Sequence, residues 1–137
     1  MKTTIVVHSG DLDKIMSALI IGNGTLAMGG EATLYFTFWG LQRLVRGQLS
    51  RGHLSKMHFL GLGTWMMKHR MKKNNVATPE RLMDDFKALG GKVIACEMTM
   101  ELMGIDRSQM EDRWIDHYGA VGMYVKETEG ADKTLFI

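Results

Sequence analysis

Short apolar runs alternate along the chain with stretches of helical spacing, and glycines mark many of the breaks. Thr4 to Val7 is β-branched and apolar and reads as a first strand. After the loop His8-Ser9-Gly10, Asp11 is placed to cap a helix whose apolar face is Ile15, Met16, Leu19 and Ile20. Gly22-Asn23-Gly24 weakens the middle of that helix and reads as close packing on the sheet, and Gly29-Gly30 end it. Ala32 to Phe38 predicts a second strand, with Leu41, Leu44 and Val45 continuing as a short helix. Thr78-Pro79-Glu80 is a helix start, and Leu82, Met83, Phe86 and Leu89 form its expected buried face up to Gly90-Gly91.

Val93-Ile94-Ala95 predicts a buried strand, followed by a helix with Met98, Leu102 and Met103 on helical spacing. Ser108-x-x-Glu111 suggests a capping box for a further short helix through Trp114 and Ile115. Gly119 to Val125 is expected as a fourth strand and Thr134 to Ile137 as an edge strand. The order βαβ…αβαβ predicts a single α/β domain over residues 1–137 with a mostly parallel sheet.

The segment from Gly47 to Asn75 breaks this rhythm. Trp65, Met66, Met67 and Met71, with Lys68, His69, Arg70, Lys72 and Lys73, suggest a short amphipathic helix. The bland expectation is an oligomer or flap contact with a solvated basic face. The sharper one is a membrane-surface or partner-protein site. Gly61-Leu62-Gly63-Thr64 lacks the Gly-Lys-Ser/Thr ending of a phosphate loop.

Composition narrows the function classes. Apolar residues make up 45% and charged residues 23% of the chain, as in a soluble globular protein. A formal charge of +2 does not point to nucleic acid. The N-terminus turns polar at His8, too early for a signal peptide, and no run reaches membrane-span length, so a cytoplasmic location is expected. His53 and His58 are poorly spaced for a metal site, and no metal or cofactor is expected.

The chain has one cysteine, Cys96, which excludes an intramolecular disulfide and a Cys-x-x-Cys motif. It falls at the expected carboxyl end of a strand just before a helix, where α/β sheets place ligands and backbone N–H groups favour a thiolate. A lone thiol cannot run an intramolecular dithiol cycle, but it can accept sulfane sulfur and pass it to another molecule. His8, Ser9 and Gly10 after the first strand, and Trp39 and Gly40 after the second, are expected on the same sheet edge as candidate substrate-binding neighbours. Glu97 and Met98, which follow the cysteine directly, are further candidate substrate-binding residues, and a Glu97 carboxylate turned toward the sulfur would oppose thiolate formation. The competing expectation is a non-catalytic interaction or small-ligand-binding module in which Cys96 is structural and buried.

Ala32 to Leu41, Leu54-Ser55-Lys56-Met57 with Gly61-Leu62-Gly63-Thr64, and Ala95 to Ile105, in this order, resemble the DsrE/DsrF-like family, and within it a DsrE-type subgroup carrying a peroxiredoxin label. The resemblance spans Ile5 to about Val125. It implies a three-layer, flavodoxin-like α/β sandwich and a homo-oligomer, trimeric or hexameric. It also implies intracellular sulfur relay, as carrier or sulfurtransferase, with Cys96 accepting sulfur as a persulfide or thiosulfonate from small sulfane-sulfur compounds or from TusA-like or rhodanese-like partners.

Overall fold

A computed structural model describes residues 1–137. Five strands, β1 (Lys2–Val7), β2 (Glu31–Phe36), β3 (Lys92–Cys96), β4 (His117–Gly119) and β5 (Lys133–Phe136), form one all-parallel sheet in the order β4-β3-β2-β1-β5. From β1 to β4 the chain steps repeatedly in one direction, then returns across the sheet to place β5 beside β1. Right-handed crossovers put the helices of the forward steps on one face and the helix of the return on the other. The forward helices are α1 (Leu12–Ala27), α2 (Phe38–Gln42), α3 (Leu62–Lys73), α4 (Pro79–Ala88) and α5 (Glu97–Met103), and the return helix is α6 (Val121–Glu127).

The core divides the same way. Ile5, Val7, Leu34, Phe36, Val93 and Ala95 project into the large core with Ile15, Leu19, Met83 and Phe86 of α1 and α4. Their alternates Tyr35, Ile94 and Cys96 form a smaller cluster with Tyr124 of α6. A strand's period of two decides which residues share a face with the thiol. The fold is the expected α/β sandwich, with a sheet that is wholly parallel.

Several local expectations are corrected. The fourth strand stops at Gly119, and Val121, Met123, Tyr124 and Val125 belong to α6. Only a helix on the second face can carry the chain back to β5, and that tertiary demand overrides their β propensity. Strand β2 ends at Phe36, because Phe38 takes a left-handed backbone (φ 46°) and starts α2. The capping box is formed by Asp106 and Gln109, and its segment is a pair of 3-10 turns. Ile20, Leu89, Met98 and Leu102 face outward, and Met100 carries the buried face of α5. Gly22 packs chiefly on the Phe86 ring of α4, where a Cβ would lie 2.8 Å away, so the contact joins two helices. Gly24 is open.

Helix α3 forms as expected, but Trp65, Met66 and Met67 are consecutive and exposed, and Thr64 is its only buried residue. Its apolar side chains are not gathered on one stripe. The Thr64 hydroxyl is taken up by the Leu54 amide (3.2 Å) and His58 Nδ1 (2.6 Å), so the glycine turn before α3 closes on itself. Between Glu31 and Glu80 the chain carries eight Lys/Arg and no Asp/Glu. No helix is long and apolar enough to cross a membrane.

Candidate functional site

Cys96 ends β3 and is the residue immediately before α5. Strand register places Tyr35 beside Ile94, and the pleat carries both onto the face of Cys96. Thr37 follows β2, and Thr99 lies three residues after the cysteine, in the first turn of α5. The Thr37 and Thr99 hydroxyls are 3.1 Å apart, and Thr99 Oγ1 also accepts the Phe38 amide at 3.1 Å. The side chain of Cys96 sits among these groups and is 2% exposed.

Burial alone would push the Cys96 thiol up. The Thr99 hydroxyl and amide and the Tyr35 and Thr37 hydroxyls, polar groups gathered about the sulfur, outweigh it and hold the thiol below its ordinary value. Burial, and then the facing sulfur, push the Tyr35 phenol in the opposite direction. A folded pKa below the unfolded one means that the unfolded chain binds more protons between the two values. The stabilisation is therefore fully present above the unfolded thiol pKa and is lost as pH falls through the folded one. The melting temperature of wild type relative to Cys96→Ser is expected to rise as pH climbs toward the unfolded thiol value of about 8.5 and to level off above it. A flat difference over that climb contradicts a depressed thiol.

The Glu97 carboxylate is engaged away from the sulfur. It accepts from Arg107 Nη2 at 2.9 Å, and it is not among the groups that shift Cys96. Arg107 in turn lies over the Tyr118 ring, 4.2 Å from its centre. The Tyr118 hydroxyl donates to Asp112 at 2.6 Å, and burial together with that bond pushes its phenol up to about 12. Met98 is exposed, while Gly40 is buried against the end of β1 and donates its amide to the His8 carbonyl at 2.9 Å.

The remaining expected neighbours gather elsewhere. His8, Ser9, Gly10 and Trp39 line a separate cleft of about 370 Å³, which Cys96 does not line. Phe38 links the two places: its ring stacks on His8, 5.2 Å between centres, and its amide bonds Thr99. The cleft also contains Lys14, Arg43, Arg51 and His53, none of them expected from the sequence. Tyr35, Thr37 and Thr99 were equally missed, although strand alternation points to Tyr35 and the three-residue offset from Cys96 points to Thr99. The His53 and His58 rings meet at 4.0 Å, but no group of three or more His, Cys, Asp or Glu side chains is placed to hold a metal.

A sequence profile of the DsrE/DsrF/DrsH-like family matches residues 1–51 and 43–136. The chain belongs to this family. The DsrE-like chain is 38% identical to the Bacillus subtilis protein YrkE, itself uncharacterized, over 99% of this chain and 96% of that one. It is 26% identical to the sulfur carrier protein DsrE2 of Allochromatium vinosum, over 90% of each. Among solved structures, the DsrE-like fold superposes on protein MTH1491 of Methanobacterium thermoautotrophicum with a TM-score of 0.63, covering 98% of this chain and 97% of that one. It superposes on Escherichia coli ychN with a TM-score of 0.61 over the whole of both chains. Both structures are 14% identical in sequence and speak to the fold alone.

Proposed function

We propose that this protein relays sulfur, with the Cys96 thiolate carrying sulfane sulfur as a persulfide. The observation that carries the reading is the gathering of the Tyr35, Thr37 and Thr99 hydroxyls at a buried thiol, polar groups that favour its thiolate. Membership of the DsrE-like family and the sulfur-carrier name of the A. vinosum relative support it. The thiolate attacks the outer sulfur of a donor persulfide, an S–S bond forms at Cys96, and the donor leaves as a thiolate with the electron pair. Attack by an acceptor thiolate on the same outer sulfur reverses the step, so no outside oxidant or reductant is needed.

TusA-like or rhodanese-like proteins are the macromolecular partners this reading favours. A homo-oligomer would cover Phe59, Leu60, Leu62, Trp65 and Met66, large apolar side chains that stand exposed close together in sequence. The experiment is intact-mass analysis of reduced protein after incubation with glutathione persulfide. A gain of one sulfur atom that dithiothreitol removes and Cys96→Ser abolishes is expected. No gain, or a gain that persists in Cys96→Ser, overturns the proposal.

The 2% exposure of Cys96 favours a second reading, a binding module with a structural cysteine. That reading requires the thiol to label slowly in native buffer and rapidly only after unfolding.

A further inference from the structure

The cleft beside His8 has a charge pattern that the sulfur reading does not use. Lys14, Arg43 and Arg51 line it against a single carboxylate, Asp11, and only one of its lining residues is hydrophobic. Asp11 lies 3.8 Å from the Lys14 ammonium and is the one acidic group acting on Arg43. Arg51 makes no ion pair and no side-chain hydrogen bond within the chain. The Arg43 guanidinium bonds the chain only through Nη1, to the Gln48 carbonyl at 3.3 Å. Its Nε is fully buried and has no partner. An unpaired buried N–H on a cation is costly, and burial works against the charge of this guanidinium.

The surrounding backbone is built to hold Arg43 there. A Cβ at Gly10 would stand 2.7 Å from the Trp39 carbonyl and 3.2 Å from Arg43 Nε, and one at Gly52 would collide with the Gly10 carbonyl. Glycine at both positions lets the loop after α2 close over the start of α1, where the Leu12 amide donates to the His53 carbonyl at 2.8 Å. Helix α1 runs for 16 residues, and Asp11 ahead of it makes no side-chain capping bond. The positive end of the helix thus adds to the field of the three cations.

Guanidinium forks match the oxygens of sulfate-like and phosphate-like groups, and paired guanidiniums favour a divalent charge. A cleft of about 370 Å³ is at the small end of ligand sites, and with so little apolar lining it offers no slot for a large ring system. We infer that this cleft binds a small tetrahedral oxyanion between the Arg43 and Arg51 guanidiniums, with Lys14 beside them. The inference stands independently of sulfur transfer at Cys96. The anion takes up the Arg43 Nη2 donors that the chain leaves free and offsets the surplus positive charge.

The test is isothermal titration with sodium sulfate, sodium thiosulfate and sodium phosphate, each at constant ionic strength set with sodium chloride. Saturable one-to-one binding is expected. It weakens by about tenfold or more in Arg43→Met and in Arg51→Met, since each removes charge-assisted bonds. It is unchanged in Arg70→Met, which removes the same charge from α3. Arg51 is exposed and unpaired, so Arg51→Met keeps the test decisive if Arg43→Met folds poorly. Preference for thiosulfate identifies a sulfur donor as the natural ligand, and preference for phosphate a phosphorylated one; both support the site. No saturable heat with any of the three anions, or equal affinity in Arg51→Met, overturns the inference.

Discussion

Replacing Thr99 with valine raises the pKa of Cys96 and slows its alkylation by iodoacetamide at neutral pH by about tenfold or more. The size follows from hydrogen bonds to a charged group, worth about 1.5–3 kcal/mol each, against about 1.36 kcal/mol per pKa unit. Thr99 contributes to the thiolate through both its hydroxyl and its amide, and valine removes only the hydroxyl. At a pH below the thiol pKa each unit of upward shift cuts the thiolate fraction about tenfold, and the higher basicity of the remaining thiolate offsets only part of that loss. Valine also strips the Phe38 amide of its acceptor, so some loss of stability accompanies the change.

Tyr35→Phe separates the two effects. It deletes one hydroxyl and keeps the ring stacked on Tyr124, 5.0 Å between centres. Its expected shift has the same sign, with little change in melting temperature. The measurement is the pH dependence of alkylation rate. If neither variant moves the midpoint upward, the hydroxyls do not set the reactivity of this thiol.

Phe86→Ala is expected to cost about 3–5 kcal/mol, the range for truncating a buried phenylalanine, and to lower the melting temperature by about 10 to 20 °C. Phe86 is fully buried in the large core, where its ring fills the space left by two glycines, Gly22 on α1 and Gly91 before β3. The pair of helical glycines makes the argument sharper. Gly22→Ala pushes a methyl into that ring, so overpacking of about 1–3 kcal/mol outweighs the helix propensity gained. Gly24→Ala meets nothing within 4 Å and gains about 1 kcal/mol from propensity alone. Opposite signs two residues apart are the expected result in chemical denaturation. Equal signs would mean that the ring does not press on α1.

Strands β1, β2, β3 and β5 were legible because short β-branched and apolar runs bounded by turns have few alternatives. Helix α4 was legible from Thr78-Pro79, whose threonine hydroxyl accepts the Arg81 amide at 3.2 Å. Helix α6 was not, because Val121 to Val125 suits a strand until the return to β5 is known. The position of Cys96 was readable, but the donors around it were not. Tyr35 and Thr37 lie some 60 residues earlier and reach the thiol only through strand register. The orientation of Glu97 was open for a related reason: adjacency in sequence leaves the carboxylate free to turn toward the sulfur or away, and Arg107 ten residues on takes it. The oxyanion cleft depends on Gly52 closing over Gly10, a contact with no local signature.

The uneven placement of charge between Glu31 and Glu80 has a consequence for how the molecule meets other bodies. Eight cations in that stretch stand against a remainder with nine Lys/Arg and fifteen Asp/Glu, so a net charge of +2 averages over segments of opposite sign. At a distance the two parts nearly cancel. At contact they do not, because the nearest charges then dominate the field. That field acts over about 10 Å at 0.1 M salt and about 30 Å at 0.01 M. Ionic strength therefore governs which way round the protein first touches a charged surface, and the isoelectric point of about 8.7 does not report it.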